Sequence, residues 1–159
     1  MLSKFLRVLG FVWAAPCTLP GLVYVAFCTA MKWYDFLGVH GDALVWLVNL
    51  SKCPIWLQNF WSHWGGHTIG NVIVVRDMPD ETPRGAIILK HELIHTKQCM
   101  RLGIFQPLIY LGCYLGARFG CDHADPYLDT IFEIDARRGA GQIVDITGTI
   151  QRLQAQKKI

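Results

Sequence analysis

Five consecutive residues near the middle of the chain have the types and spacing of a metal site. They are His91, Glu92, Leu93, Ile94 and His95, which form the pattern H-E-x-x-H. On a helix, residues four apart lie on the same face with Cβ atoms about 6 Å apart, so two imidazoles there can bind one divalent ion. Glu92 is rotated by about 100° around the helix, where it can take a proton from a water on the metal. The pattern predicts metal-assisted hydrolysis.

A catalytic zinc ion normally has three protein ligands and leaves one position to water, so a third ligand must come from elsewhere in the chain. Glu133 is the preferred candidate, because it falls on the next predicted helix and is one of three glutamates in the chain. Ala136, one turn later on the same face, would let that helix approach the first one closely. The alternative is a solvated Glu133 paired with Arg137. The downstream candidates in chain order are Asp122, His123, Asp125, Asp129, Glu133 and Asp135.

The motif lies within a helix whose two ends are marked in the sequence. Thr82 as N-cap, with Pro83 at the first helical position and Gly103 as the stop, predicts a helix of about 20 residues. The segment before it, His67 to Arg76, is rich in β-branched residues and ends in turn-forming residues, which predicts a single strand. The metal-binding helix is therefore expected to follow a strand.

The helix that carries Glu133 is framed in the same way. Asp125 is the expected cap, Pro126 the first helical residue and Gly139 the stop, which predicts a helix over Tyr127 to Arg138. The two predicted helices together carry the chemistry.

The first 64 residues are the most apolar part of the chain. The 24 residues from Val8 to Met31 carry no formal charge and lie between Arg7 and Lys32, which is long enough for a helix to cross a bilayer. Pro16 and Pro20 leave three forms open: a kinked span, a re-entrant hairpin, or two half-helices in the interface. A cleaved signal peptide is a further alternative.

Two more apolar runs follow. Residues 36–64 contain Trp46, Trp56, Trp61 and Trp64, a density that suits either the headgroup level of a membrane or a small core. The run from Leu102 to Ala117 is shorter than the roughly 20 residues needed to span, so a buried or half-immersed helix is expected.

The composition fits this organisation. With 159 residues the chain is expected to be one domain, divided into an apolar membrane-associated segment (1–64), a metal-site core (65–138) and a basic tail (139–159). Hydrophobic residues make up 52% and charged residues 17%, against about 25% charged in typical soluble domains.

A net charge of +3 is too diffuse to indicate nucleic acid as a partner. Six cysteines without a Cys-x-x-Cys pair indicate neither a disulfide framework nor a zinc knuckle. The expected fold is α+β, mostly helical, with a small sheet at the metal site.

The order of these motifs has a known parallel. H-E-x-x-H, an apolar helix and then a helical glutamate resembles the gluzincin class of zinc metallopeptidases. More narrowly, residues 90–98 and 132–136 resemble small bacterial membrane-associated proteins with a minimal gluzincin-like core, and the similarity covers residues 65–138. In those proteins Asn-Pro tends to precede the Phe-Glu of the second motif, whereas this chain has Thr130 and Ile131 there.

The resemblance implies that His91, His95 and Glu133 bind Zn²⁺ and that Glu92 is the general base of a peptidase. A peptide or protein substrate and membrane lipid would be its partners, at a membrane that would be the bacterial inner membrane. A further donor should steady the oxyanion, and His123 is the first candidate. Tyr127 and His67 are the alternatives.

Two functions of other classes also fit these residues. In one, the metal site is structural or regulatory in a non-catalytic membrane protein. In the other, the protein is a membrane-active or partner-binding factor in which the H-E-x-x-H pattern is incidental.

Overall fold

The computed structural model of the chain describes residues 2–120, 125, 127–128 and 130–142. Within these residues the α-helices are α1 (Leu2–Ala30), α2 (Ile55–His63), α3 (Pro83–Leu102), α4 (Phe105–Gly120) and α5 (Ile131–Ala140). The strands are β1 (Tyr34–His40), β2 (Ala43–Val48), β3 (Gly66–Ile69) and β4 (Val72–Val75), and a 3₁₀ turn covers Leu50–Lys52. The predicted α+β class, mostly helical with a small sheet, is confirmed.

The four strands form one mixed sheet in the order β1-β2-β4-β3. β1 pairs with β2 and β3 pairs with β4 in antiparallel fashion, while β2 and β4 run parallel in the centre. All four residues of β4 (Val72–Val75) are buried, as expected for a strand covered on both faces. β3 therefore lies at an edge of the sheet.

Helices cover both faces of the sheet. On one face, Val72 and Val74 of β4 pack in a cluster with Val25 of α1 and Trp61 of α2. On the other face, Ile73 and Val75 pack with Leu89 of α3. The alternation of side chains along a strand thus places the C-terminal half of α1 and the part of α3 around Leu89 on opposite sides of one thin sheet.

The segment predicted as one strand, His67 to Arg76, is a hairpin instead. β3 and β4 are joined by Gly70 and Asn71, and Gly70 has a φ of 63°, in the region that favours glycine. A Cβ on Gly70 would lie 2.5 Å from the backbone nitrogen of Thr18 on α1, so glycine is also needed for space. The prediction was wrong because the β-branched run on both sides hid a two-residue turn.

α1 is one continuous helix that includes Pro16 and Pro20, so a re-entrant hairpin and two half-helices are wrong. Seven of the residues of α1 that contact or are buried by the rest of the molecule follow each other at intervals of three or four, and several are small. We call this set the docking stripe: Arg7, Gly10, Ala14, Thr18, Gly21, Val25 and Cys28.

Among the described residues, α1 is the one helix long and apolar enough to cross a membrane, over Lys4–Ala30. The criterion is length and composition, which a core helix of a soluble protein and a signal sequence also meet. Outside the docking stripe, Leu22 and Tyr24 pack against the core. Many other large apolar side chains of α1 are exposed, among them Val12 at 66% and Val23 at 71%.

The four tryptophans of residues 36–64 differ in burial. Trp46 and Trp61 belong to the core, whereas Trp56 and Trp64 are exposed. The region contains most of β1, together with β2 and α2, none of which was predicted as an element.

The ends of α3 are confirmed and those of α5 are corrected. The Thr82 side chain accepts a hydrogen bond from the Gly85 N–H, and Gly103 follows the last helical residue.

α5 begins at Ile131, not at Tyr127, because the Thr130 side chain caps it. Asp125 instead accepts hydrogen bonds from the N–H groups of residues 127 and 128, in a turn before the helix. α5 ends at Ala140, with Gly141 in the left-handed conformation.

Candidate metal centre

The two histidines of the motif lie on one face of α3, as the spacing predicts. Their Nε2 atoms are 3.0 Å apart, and each imidazole is held at its other nitrogen. His91 Nδ1 is 3.0 Å from Oε1 of Gln142, and His95 Nδ1 is 2.8 Å from Oε1 of Gln98. Both rings therefore point one nitrogen at a common position.

Glu133 comes to that position from α5. Its Oε2 lies 3.3 Å from His91 Nε2, and its Oε1 lies 3.3 Å from His95 Nε2. The helices approach closely because Ala136 is fully buried and Gly139 lies against Ile94 of α3. The alternative of a solvated Glu133 paired with Arg137 does not hold, since Glu133 is only 3% exposed.

The hydrogen bonds of Gln98 fix the protonation of His95. The Gln98 Nε2 donates to the Phe132 carbonyl at 3.2 Å and to Asp135 Oδ2 at 2.9 Å, so its Oε1 must be the atom that faces His95. The Nδ1 of His95 must then be the N–H donor, and in the neutral ring its Nε2 carries a lone pair. That lone pair faces His91 Nε2 and a carboxylate, an arrangement that could hold a metal ion or a shared proton.

His91, His95 and Glu133 are buried, and one ligand atom from each lies within 4.8 Å of the others. This group could hold a metal ion. Two imidazole nitrogens and one carboxylate oxygen are the donors that divalent transition metals bind, so the residues fit the ion that the motif implies.

The closeness of Glu133 to the two histidines shifts the pKa values of Glu133 and His95. Burial raises the pKa of Glu133, but hydrogen bonds and charges from His91 and His95 outweigh it and lower the pKa to about 2. Burial lowers the pKa of His95, and the Glu133 carboxylate outweighs it, so the net pKa of His95 is raised. Without a metal, a proton shared between His95 and Glu133 can occupy this position.

Glu92 lies beside the group and is held from the edge strand. Thr68 of β3 donates its hydroxyl to Glu92 Oε2 at 2.7 Å. A Cβ on Gly66 would come within 3.0 Å of Glu92 Oε1, so glycine there leaves room for the carboxylate. Burial raises the pKa of Glu92, partly offset by His95 and Thr68, which makes it a stronger base than an exposed glutamate.

Two cavities flank the group. One, of about 360 Å³, lies between β3, α3 and α4, and it is lined by Tyr110, Leu111 and Tyr114 of α4. The other, of about 530 Å³, lies on the far side, towards His63 and Gln142. Both include Glu92 and Glu133 in their walls, so a ligand chain crossing the site would find space on either side.

The predicted oxyanion donors have different outcomes. His123 lies outside the described residues. The His67 ring stacks on Trp61, with centroids 5.1 Å apart, and burial lowers its pKa to about 4. Tyr127 lines both cavities, and burial, with Glu133 next, raises its pKa, so the hydroxyl is a neutral donor.

Sequence reasoning missed three residues of the centre: Gln98, Tyr110 and Gln142. Tyr110 of α4 donates to Glu133 Oε1 at 3.3 Å. Burial, followed by the Glu133 charge, raises its pKa and keeps the hydroxyl protonated. The place of Gln98 one turn after His95 is a sequence signal for an orienting partner.

Comparison of the chain with protein-family models, with curated proteins and with solved structures finds no match. The resemblance to gluzincins remains a prediction from the two motifs, and the functional argument depends on the geometry described above.

Proposed function

We propose that the protein is a zinc-dependent metallopeptidase that hydrolyses peptide bonds at or near a membrane. The observation that carries the proposal is the convergence of His91, His95 and Glu133, with the buried Glu92 next to them. A structural zinc site uses four protein ligands, whereas the three that the described residues bring together leave the position that catalysis requires. The donor set favours zinc over calcium or magnesium, which prefer oxygen ligands.

Each residue of the group has a distinct task in this proposal. His91, His95 and Glu133 would hold the ion, and zinc there would polarise a peptide carbonyl and lower the pKa of a water. Glu92 accepts the proton of the attacking water and returns it to the leaving amine, for which a raised pKa suits it. Tyr110 donates its one proton to Glu133. The Tyr127 hydroxyl, a neutral donor in the wall of the 360 Å³ cavity, can steady the developing oxyanion.

The surroundings suit an extended peptide. β3 is an edge strand beside Glu92, and an unpaired edge can bind a further strand through its backbone groups. The cavities on the two sides of the site have volumes typical of ligand pockets, about 300–1,000 Å³. A peptide along this edge would place one side chain in each cavity.

The test is Glu92→Gln, compared with Glu81→Gln as the matched control, since Glu81 is exposed and outside the centre. We expect Glu92→Gln to bind zinc as the wild type does and to lose peptide hydrolysis, while Glu81→Gln keeps both. Zinc content would be measured by mass spectrometry, and turnover with a library of quenched fluorescent peptides.

Each other outcome favours one of the rival functions. Stoichiometric zinc with no turnover in the wild type would favour a structural or regulatory metal site. Absence of any metal binding would leave the motif incidental and overturn the proposal.

A further inference from the structure

The docking stripe limits how α1 can meet a membrane. It runs from Arg7 to Cys28, about 32 Å along the helix, so the sheet and α3 cover one side of α1 over nearly the thickness of a bilayer. Gly10 contacts Met100 of α3, and Arg101, the next residue, is exposed. If α1 were perpendicular to the membrane, the turn at Gly70 and Asn71 and the end of α3 around Arg101 would lie in the hydrocarbon, where unpaired backbone groups and charges are costly.

α4 adds a second apolar surface next to the first. It has 16 residues, about 24 Å, which is short of the roughly 30 Å of a bilayer core, and Arg118 is its one charged residue. The Trp13 and Phe105 rings join the two helices, with centroids 6.0 Å apart. Six exposed side chains define what we call the lipid face: Val12, Leu19 and Val23 of α1, and Leu108, Leu115 and Phe119 of α4.

Exposed charged side chains also lie on α3, which covers the face of the sheet opposite Val25 of α1, and on α5, which packs against α3. Lys90 and Lys97 on α3 and Arg138 on α5 are exposed, and the sheet separates α3 from the C-terminal half of α1. Lys4 and Lys32 stand at the two ends of α1, where they can reach lipid headgroups if the helix lies flat.

From these observations we propose that the protein binds one leaflet of a bilayer, with α1 in the plane of the membrane and the lipid face immersed. A flat orientation is the one that puts both apolar helices in lipid and the cations of α3 and α5 in water. The 360 Å³ cavity, walled by α4, then lies next to the lipid surface. The inference rests on the membrane part of the proposed function and not on hydrolysis.

The ends of α1 give a direct test, with Lys4→Cys and Lys32→Cys combined in one chain. The full chain, carrying Glu92→Gln so that turnover plays no part, is reconstituted in phosphatidylcholine and phosphatidylglycerol vesicles and treated with a membrane-impermeant maleimide. Intact mass spectrometry gives the number of labels on each molecule. The number on the same chain without the two new cysteines is subtracted, and the difference is the number of added labels. If α1 lies flat, both new cysteines are on the same side of the vesicle membrane. Each molecule then gains two labels or none, depending on which leaflet it occupies. A majority of molecules with one added label would show a spanning helix and overturn the proposal.

Vesicle flotation supplies the second measurement. Leu108→Asp and Val12→Asp should each weaken binding about tenfold or more, because a buried leucine or valine side chain is worth at least that factor. Ile87→Asp is the matched control, since Ile87 is exposed on α3 outside the lipid face. Equal binding of all three variants, or a wild-type chain that stays with the aqueous fraction as a dimer, would overturn the proposal. Neither result would bear on peptide hydrolysis.

Discussion

Gln98 controls the tautomer of a proposed metal ligand without binding the metal itself. Its amide is held by two acceptors, the Phe132 carbonyl and Asp135, so it can offer His95 only an oxygen. These contacts link α3 to α5 and point the lone pair of His95 at the proposed metal position.

We therefore expect Gln98→Ala to lower zinc affinity by about 10–100-fold, the usual effect of losing a partner of a metal ligand. Competition with a chromogenic chelator would measure it. Gln58→Ala serves as the control, because Gln58 also donates one side-chain hydrogen bond, to Cys53, but lies outside the centre. Unchanged zinc affinity in Gln98→Ala would contradict the role given to this side chain.

The pair of Glu133 and His95 makes the metal-free protein sensitive to pH at both ends of the acidic range. The pKa of Glu133 falls from 4.5 to about 2 on folding, so its stabilisation is present above pH 4.5 and is lost as the pH falls towards 2. The pKa of His95 is raised above 6.5, so its stabilisation is present below pH 6.5 and is lost as the pH rises through the folded value.

The free energy of unfolding of the metal-free wild type should exceed that of Glu133→Gln most between about pH 4.5 and 6.5, by roughly 2–3 kcal/mol. Urea unfolding in the presence of a chelator, repeated across pH 2–8, would measure this difference. A difference that does not vary with pH would mean that the two groups are not coupled in the folded state.

At the scale of elements, the contact between α3 and α5 sets the position of Glu133. Ala136 is fully buried where the helices meet, so Ala136→Leu adds volume to a filled space. We expect a loss of about 1–3 kcal/mol in the free energy of unfolding and weaker zinc binding, because α5 must move away from the histidines.

Thermal unfolding and zinc titration of the same samples would measure both effects. Ala86→Leu is the control, since Ala86 is an exposed residue of α3 and should change stability by less than about 0.5 kcal/mol. Wild-type zinc affinity in Ala136→Leu would show that the helix contact does not position Glu133.

The sequence was sufficient for elements whose ends are encoded locally. Thr82, Pro83 and Gly103 determine the ends of α3 by capping and backbone geometry, and both ends were predicted. Asp125 offered an equally good cap for α5, but its side chain closes a turn and Thr130 caps the helix. Choosing between two local signals depends on where tertiary contacts place the chain, which a pattern does not contain.

The sheet and part of the site could not be predicted for a related reason. β1 and β2 are apolar on both faces or irregular, so they lack the alternation that marks a half-buried strand. The three candidate ligands could be named because the pattern and the second helix restrict the choice, and the structure brings their side chains together. Tyr110 and Gln142 reach the site only through the packing of α4 and the end of α5.

At the scale of the whole molecule, the thin sheet separates two environments. The cluster that includes Val25 and Trp61 lies under α1 and α2, and the cluster that includes Leu89 lies under α3. Large apolar side chains are exposed along the length of α1 and α4, whose exposed cations (Lys4, Arg7 and Arg118) lie near helix ends. α3 and α5 expose Lys90, Lys97 and Arg138 together with Ile87 and Ile131, so the exposed surface is more apolar on α1 and α4, and the proposed metal centre lies between α3, α5 and α4.

The wall that α4 contributes to the smaller cavity has a consequence for kinetics. If the substrate is held in the same leaflet, enzyme and substrate meet by lateral diffusion, and their encounter rate depends on the number of molecules per unit area. Inert lipid added at constant bulk concentration would spread both over a larger surface and slow turnover. The number of protein molecules per unit area of membrane, and not their number per unit volume, would then determine the rate.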